Sequence, residues 1–141
     1  MRPEEMKLFA QRFVEQVINS GNLDQADEFF TADYVDHAAP PGLPPGTVGL
    51  KAFFGMLRAA FPDLHYTLED SIAEGDKVVQ RFTTSGTMQG AFLGMPATGK
   101  SATWSEIHIV REAGGKFVEH WANIDQLGML QQLGVIPTPG Q

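Results

Sequence analysis

The sequence predicts an α+β fold in which a cone-shaped, curved antiparallel sheet wraps around N-terminal helices. Apolar residues follow helical spacing through residues 1–61, and period-two alternation dominates the chain after that point. Helices followed by a run of strands are typical of this fold class. A sheet curved over helices leaves part of its concave face unfilled, which favours a small-molecule pocket. The 141 residues suit one domain over 1–136 with a flexible tail over 137–141.

Three helices are predicted ahead of the sheet. The first covers 3–20 and starts with a proline and two glutamates, which favour a helix N-terminus. The second covers 23–30, with Asn22 as its cap. Residues 38–46 contain four prolines and two glycines and form a constrained loop. The third helix stops at Pro62 and carries an apolar stripe formed by Leu50, Phe53, Phe54, Leu57 and Phe61.

Strands are predicted over 64–72, 77–86, 104–111 and 116–125, and a last short helix over 125–133, with Asp125 as its cap. Alternation places Ile72 on the same face as Tyr66 in the first of these strands. The Gly114-Gly115 pair joins the last two strands as a hairpin.

The hairpin carries the first candidate site. One face of its first strand presents Trp104, Glu106, His108 and Val110, and the other presents Ser105, Ile107 and Ile109. A solvated face would not favour Trp104, and a sealed core would not favour Glu106 beside His108. The pattern therefore predicts a polar pair in the wall of an apolar pocket. Imidazole acts as base, acid or hydrogen-bond donor near neutral pH, which makes His108 a candidate catalytic residue.

Composition excludes several classes of function. The net charge of −7 argues against nucleic acid and anionic membranes as partners, because both repel an acidic surface. The absence of cysteine excludes thiol nucleophiles, disulfides and thiolate metal sites. The sequence shows no apolar run of membrane-spanning length and no signal-peptide core, so we expect a cytoplasmic protein.

Short motifs along almost the whole chain follow the order and spacing of a known family. They are Ala32-Asp33-Tyr34-Val35-Asp36-His37, Ala60-Phe61-Pro62-Asp63, Gly75-Asp76-Lys77-Val78-Val79, Gly90, Gly94-Met95-Pro96-Ala97-Thr98-Gly99, Glu106-Ile107-His108-Ile109-Val110-Arg111, Gly115-Lys116 and Gln132-Leu133-Gly134. The chain resembles SnoaL-like polyketide cyclases, the ester cyclase group of the nuclear-transport-factor-2-like superfamily. The resemblance implies the same cone-shaped fold, which is also called cystatin-like. It also implies a cofactor-free aldol ring closure, in which a carboxylate removes a proton next to a carbonyl.

The resemblance also implies residue roles. The family's Gln-x-His pair falls on Glu106 and His108, its asparagine falls on Asp36, and its general-base aspartate falls on Ala122.

Two registers of the last strand remain open. If Ala122 faces the pocket, Val118, His120 and Ile124 face it too. A bulge would instead turn Glu119, Trp121, Asn123 and Asp125 inward. We expect the first register, in which His120 lies across from His108 and replaces the missing carboxylate.

These observations predict a protein that transfers a proton next to a carbonyl of a largely apolar small molecule. His108 or His120 is the expected base, Glu106 or Asp36 its partner, and no cofactor or metal is expected. Substrate contacts are predicted for His37, Arg81, Trp104 and Phe53, with Arg81 orienting an acidic ligand, pairing with Glu106 or lying at the surface.

Alternatives from other classes are a non-catalytic ligand-binding module and a hydrolase, dehydratase or isomerase on the same fold. The outer sheet face, with Ile107, Ile109 and Trp121, is expected to form a homodimer.

Overall fold

The computed structural model describes residues 1–137. Apart from Pro137, the tail predicted over 137–141 lies outside the described residues. The helices are α1 (Pro3–Phe13), α2 (Ala26–Phe29), α3 (Gly46–Ala60) and α4 (Gln126–Gln132). The strands are β1 (Phe30–Asp36), β2 (His65–Glu74), β3 (Lys77–Thr87), β4 (Ser101–Ala113) and β5 (Lys116–Ile124). No helix within residues 1–137 is long and apolar enough to cross a membrane.

The five strands form one curved sheet in the order β1-β5-β4-β3-β2. Neighbouring strands from β5 to β2 run antiparallel, and β1 runs parallel to β5. The α+β class is therefore confirmed, in a mixed sheet with one parallel pair. Residues 30–36 form β1, which carries Asp36 to the β5 edge. Phe30 was predicted as the end of the second helix, and no regular structure was predicted for residues 31–36.

The helices fill most of the concave face of the sheet. Phe13 on α1 packs against Phe29 on α2 and Phe30 on β1, and Phe30 packs against Phe117 on β5, with ring centroids 5.0–5.6 Å apart. Burying each such ring contributes about 1.5–3 kcal/mol. This aromatic cluster anchors α1 and α2 and leaves the other part of the concave face for the cavity described below.

The first helix changes geometry before its predicted end. Residues Val14–Asn19 form a π-helical turn in place of the regular helix predicted to residue 20. Arg58 Nη1 donates to the carbonyl oxygen of Ile18 at 2.6 Å, which gives that carbonyl a partner outside its own helix. The predicted cap Asn22 makes no capping hydrogen bond, and the segment after it is a 3₁₀ turn (Leu23–Gln25).

Two bulges change which side chains face inward. In β2, Leu68 pairs with Phe82 and Asp70 with Arg81, so Glu69 is the extra residue. The prediction that Ile72 faces inward is consequently wrong, and its side chain is 58% exposed.

The bulge in β5 falls at Val118, because Glu119 pairs with Arg111 and Phe117 with Glu112. Phe117 is therefore the buried residue, and the prediction that Val118 faces the pocket is wrong.

Candidate functional site

A cavity of about 450 Å³ lies between the concave face of the sheet, α1, α3 and the proline-rich loop that precedes α3. This volume is in the usual range for small-molecule pockets. Most of the lining is apolar and includes Phe13, Leu50, Phe53, Phe54 and Phe82. Phe53 therefore lies where a substrate contact was predicted.

Two histidines stand side by side in the sheet wall of this cavity. His108 on β4 pairs with Ala122 on β5, and His120 pairs with Val110, so the histidines are diagonal neighbours. Their ring centroids lie 5.1 Å apart and their planes differ by 19°, so the two rings meet nearly edge to edge. His120, Ala122 and Ile124 all line the cavity, which is the register we expected for this part of β5.

The two histidines link two carboxylates in one unbroken series of hydrogen bonds, which we call the relay: Glu106, His108, His120 and Asp36. Glu106 Oε1 lies 2.7 Å from His108 Nε2, and His108 Nδ1 lies 2.8 Å from His120 Nε2. His120 Nδ1 lies 2.8 Å from Asp36 Oδ1. The structure thus brings together all four residues that the sequence predicted as catalytic.

Other polar groups hold the two ends of the relay. Trp104 Nε1 donates to Glu106 Oε2 at 2.7 Å, and Glu106 is only 3% exposed. At the other end, the Tyr34 hydroxyl donates to Asp36 Oδ2 at 3.1 Å and the Ala38 amide donates to Asp36 Oδ1 at 2.9 Å. Both carboxylates are therefore fixed in orientation.

The geometry sets the number of protons in the relay. Each of the three contacts between its members needs one proton, because two lone pairs facing each other at 2.8 Å repel. Two ionised carboxylates and two neutral imidazoles supply only two protons. The fully bonded relay therefore holds a third proton and carries one net negative charge. Loss of that proton leaves ring nitrogen lone pairs able to accept another.

Burial and hydrogen bonding act on the pKa values of the relay in opposite directions. Burial lowers the pKa of His120, and its hydrogen bond with Asp36 opposes the shift only in part. Burial alone would raise the pKa of Asp36, but hydrogen bonds from His120, Ala38 and Tyr34 together lower it. Asp36 is therefore held in its ionised form, and His120 takes up a second proton less readily than an exposed histidine does.

Two tyrosines beside the relay are kept in their neutral form. Burial and the adjacent Asp36 carboxylate raise the pKa of Tyr34. Burial and the charge of Glu106 raise the pKa of Tyr66 well above its usual value. Both rings line the cavity, so they contribute hydroxyl groups rather than charges to its wall.

Three predicted substrate contacts lie elsewhere. Trp104 is buried against Phe61 and bonds to Glu106 instead of lining the cavity. His37 stacks on Trp121 and bonds to Glu119 at 2.7 Å, because β1 alternation turns its neighbour Asp36 inward. Arg81 is exposed on the outer sheet face, since it alternates with the inward-facing Gln80 and Phe82.

Sequence reasoning missed three polar residues of the site: Tyr34, Tyr66 and Gln80. Gln80 lies between Val78 and Phe82 on the inner face of β3, and a polar residue in that apolar series was the available signal. Tyr34 would have followed from recognising β1, because residues two apart on a strand share a face.

The relay nitrogens point toward one another instead of converging on one point. Among residues 1–137, no group of three or more His, Asp or Glu side chains has the geometry to hold a metal ion.

An α+β fold with titratable groups in the wall of an apolar cavity is typical of proteins that bind small molecules. Comparisons with known proteins identify the family. Residues 9–133 match the SnoaL-like polyketide cyclase family. The chain belongs to this family, as its resemblance predicted.

Named relatives include two ester cyclases. Aklanonic acid methyl ester cyclase DnrD of Streptomyces peucetius is 32% identical over 133 residues, covering 92% of this chain and 91% of the relative. Nogalonic acid methyl ester cyclase of Streptomyces nogalater is 30% identical over 118 residues, covering 82% of this chain and 88% of the relative.

Solved structures agree with the fold. TsrD from Streptomyces laurentii has a TM-score of 0.88 at 30% identity, covering 96% of this chain and 99% of that chain. IdmH from Streptomyces antibioticus has a TM-score of 0.79 at 32% identity, covering 95% of this chain and 99% of that chain.

Proposed function

We propose that this protein catalyses cofactor-independent ring closure of a carbonyl-bearing, largely apolar polyketide ester. The observation that carries the proposal is the relay, which sets a proton acceptor into the wall of an apolar cavity. The relatives named above are cyclases of methyl esters, and a cavity of about 450 Å³ suits a molecule of that kind.

The reaction begins with proton transfer from the carbon next to a carbonyl. Before the reaction the relay has lost its third proton. It then accepts the substrate proton on a ring nitrogen of the His108–His120 pair, and this proton completes the hydrogen bond between the two rings. The resulting enolate carbon attacks a second carbonyl of the same molecule and forms the new carbon–carbon bond. The relay returns its proton to the alkoxide oxygen produced in that step, so no proton is lost or gained overall.

Glu106 takes the place of a carboxylate that the family positions on β5. The resemblance assigns a glutamine to position 106 and the base aspartate to position 122, whereas this chain has Glu106 and Ala122. Both positions neighbour His108, one on its own strand and one as its cross-strand partner. The negative charge that supports the base is therefore kept next to His108 but supplied from β4.

Turnover of aklanonic acid methyl ester, with cyclised product measured by chromatography and mass spectrometry, tests this proposal. The wild type should form product, and the double variant His108→Gln, His120→Gln should form none while remaining folded. His65→Gln is the matched control, because His65 is exposed on β2 outside the site. Equal product from the double variant and the wild type would overturn the proposal.

Ala122 favours one competing function, a binding module without catalysis. The position of the family's base lines the cavity as a methyl group. Under this alternative the ester binds, but no product forms and no proton next to its carbonyl exchanges with solvent.

We also propose that two copies pair through the outer sheet face. Ile107 is 46% exposed there, beside the half-buried Ile109 and Trp121. Light scattering after size-exclusion chromatography should give a dimer for the wild type and a monomer for Ile107→Glu. A monomeric wild type would contradict the pairing.

A further inference from the structure

Gln80 is a buried polar side chain that the relay does not use. It lies on β3, is 4% exposed and lines the cavity. Its Nε2 is buried and has no hydrogen-bond partner among residues 1–137. A buried amide donor is normally satisfied, so an unpartnered one at a cavity wall points to a ligand atom as its partner.

The chemistry of the surrounding groups indicates which ligand atom this is. The ring nitrogens of His108 and His120 are engaged within the relay, and the Tyr34 hydroxyl donates to Asp36. The hydroxyl of Tyr66, the other tyrosine of the cavity wall, faces the Glu106 carboxylate. The carboxylate of Asp36 offers only acceptors. A ligand oxygen with free lone pairs would therefore find its donor in the Gln80 amide.

The position of Gln80 matches the needs of an enolate. Gln80 and His108 are cross-strand partners, so their side chains leave the sheet side by side on its concave face. A proton to be removed and the oxygen of the adjacent carbonyl are close neighbours in one molecule. A base and a hydrogen-bond donor arranged side by side reach both at once.

We propose that the Gln80 side-chain amide binds the carbonyl oxygen of the substrate and stabilises the negative charge that this oxygen gains when the neighbouring carbon loses its proton. The inference rests on the proposed function in one respect, namely that the ligand carries a carbonyl group. It adds a catalytic hydrogen-bond donor that the residues of the relay do not supply.

The test uses Gln80→Leu, which keeps side-chain size and removes the donor. Thr84→Val is the matched control, because Thr84 lies on the same strand, is fully buried and has a hydroxyl without a partner among the described residues, yet does not line the cavity. Removing an unpartnered polar group should raise the melting temperature of both variants by a few degrees.

The probe is methyl anthraquinone-2-carboxylate, a stable apolar molecule with ketone and ester carbonyls. Its carbonyl stretching frequency when bound, measured by infrared difference spectroscopy, reports hydrogen bonding directly. We expect a lower frequency with wild type and Thr84→Val than with Gln80→Leu, and binding about three- to tenfold weaker in Gln80→Leu. With aklanonic acid methyl ester, kcat should fall about a hundredfold in Gln80→Leu only.

Equal carbonyl frequencies in wild type and Gln80→Leu would overturn the role of Gln80. If the histidine double variant still abolished turnover, the proposed function would stand. Failure of the wild type to bind the probe would overturn the carbonyl ligand class, and the role of Gln80 with it.

Discussion

Replacing Glu106 by glutamine should remove the third proton from the relay without disturbing its hydrogen bonds. The glutamine Oε1 accepts from Trp104 Nε1, and its Nε2 donates to His108 Nε2, the two atoms that Glu106 contacts at 2.7 Å. His108 then donates through Nδ1 to His120, which donates to Asp36. Every contact is satisfied by two neutral histidines, so the third proton is no longer needed.

The magnitude follows from the lost charge. A carboxylate whose charge centre is about 4 Å from the imidazole stabilises the protonated ring by about 4 kcal/mol at an effective dielectric constant of about 20. The affinity of the histidine pair for its third proton should therefore fall by about three orders of magnitude in Glu106→Gln. Stability should change by less than about 1.5 kcal/mol, because net charge and hydrogen-bond count both stay the same.

Glu106→Leu is the contrasting variant. It leaves the buried donor of Trp104 and the partly buried donor of His108 without an acceptor and should cost about 2–6 kcal/mol, at about 1–3 kcal/mol for each. Chemical denaturation measures both variants.

The assay for the proton is nitrogen-15 NMR of labelled histidine, which distinguishes the charged ring from each neutral tautomer. At the same pH, wild type should show a positive charge shared by the His108 and His120 rings, and Glu106→Gln should show only neutral rings. The same charged signal in both proteins would refute the proton count.

Three further predictions follow from the same geometry. In Glu106→Gln the rate of ring closure should fall about a hundredfold. Adding Ala122→Asp should raise that rate again by at least about tenfold, because it restores a carboxylate opposite His108. An unchanged rate in the double variant would contradict the claim that Glu106 replaces a carboxylate at position 122. Folding lowers the pKa of His120 below its usual 6.5, so protonation favours the unfolded chain, and the melting temperature should drop from pH 7 to pH 5. The melting temperature of His120→Gln should depend less on pH over this range. An equal pH dependence in wild type and variant would contradict the contribution of His120. A methyl group added at Gly49 would lie 1.9 Å from the Pro44 carbonyl oxygen, so Gly49→Ala should push away the cavity loop and cost about 1–3 kcal/mol in a thermal melt; unchanged stability would show that the loop yields freely.

The sequence was most informative where alternation was uninterrupted. Between Trp104 and Val110 no bulge intervenes, so the period of two correctly placed Glu106 and His108 on the inner face. Alternation could not show that Trp104 points its indole nitrogen at Glu106 instead of into the cavity, because that depends on packing against Phe61.

Bulges and long-range pairing limited the remaining predictions. One extra residue at Val118 or Glu69 reverses which side chains face inward, and nothing local in the sequence marks either position. The meeting of Asp36 with His120 depends on the parallel pairing of β1 with β5, which joins residues far apart in the chain. Sequence reasoning named both residues but gave no geometry between them.

Solvent deuterium exchange tests the central claim, that the relay moves a proton next to a carbonyl, most directly. Aklanonic acid methyl ester is incubated in deuterated buffer with wild type, with the double variant His108→Gln, His120→Gln, and with His65→Gln, and label next to the carbonyl is read by mass spectrometry. The account predicts rapid labelling with wild type and His65→Gln, and labelling at the uncatalysed rate with the double variant. Labelling at the uncatalysed rate with the wild type would contradict it.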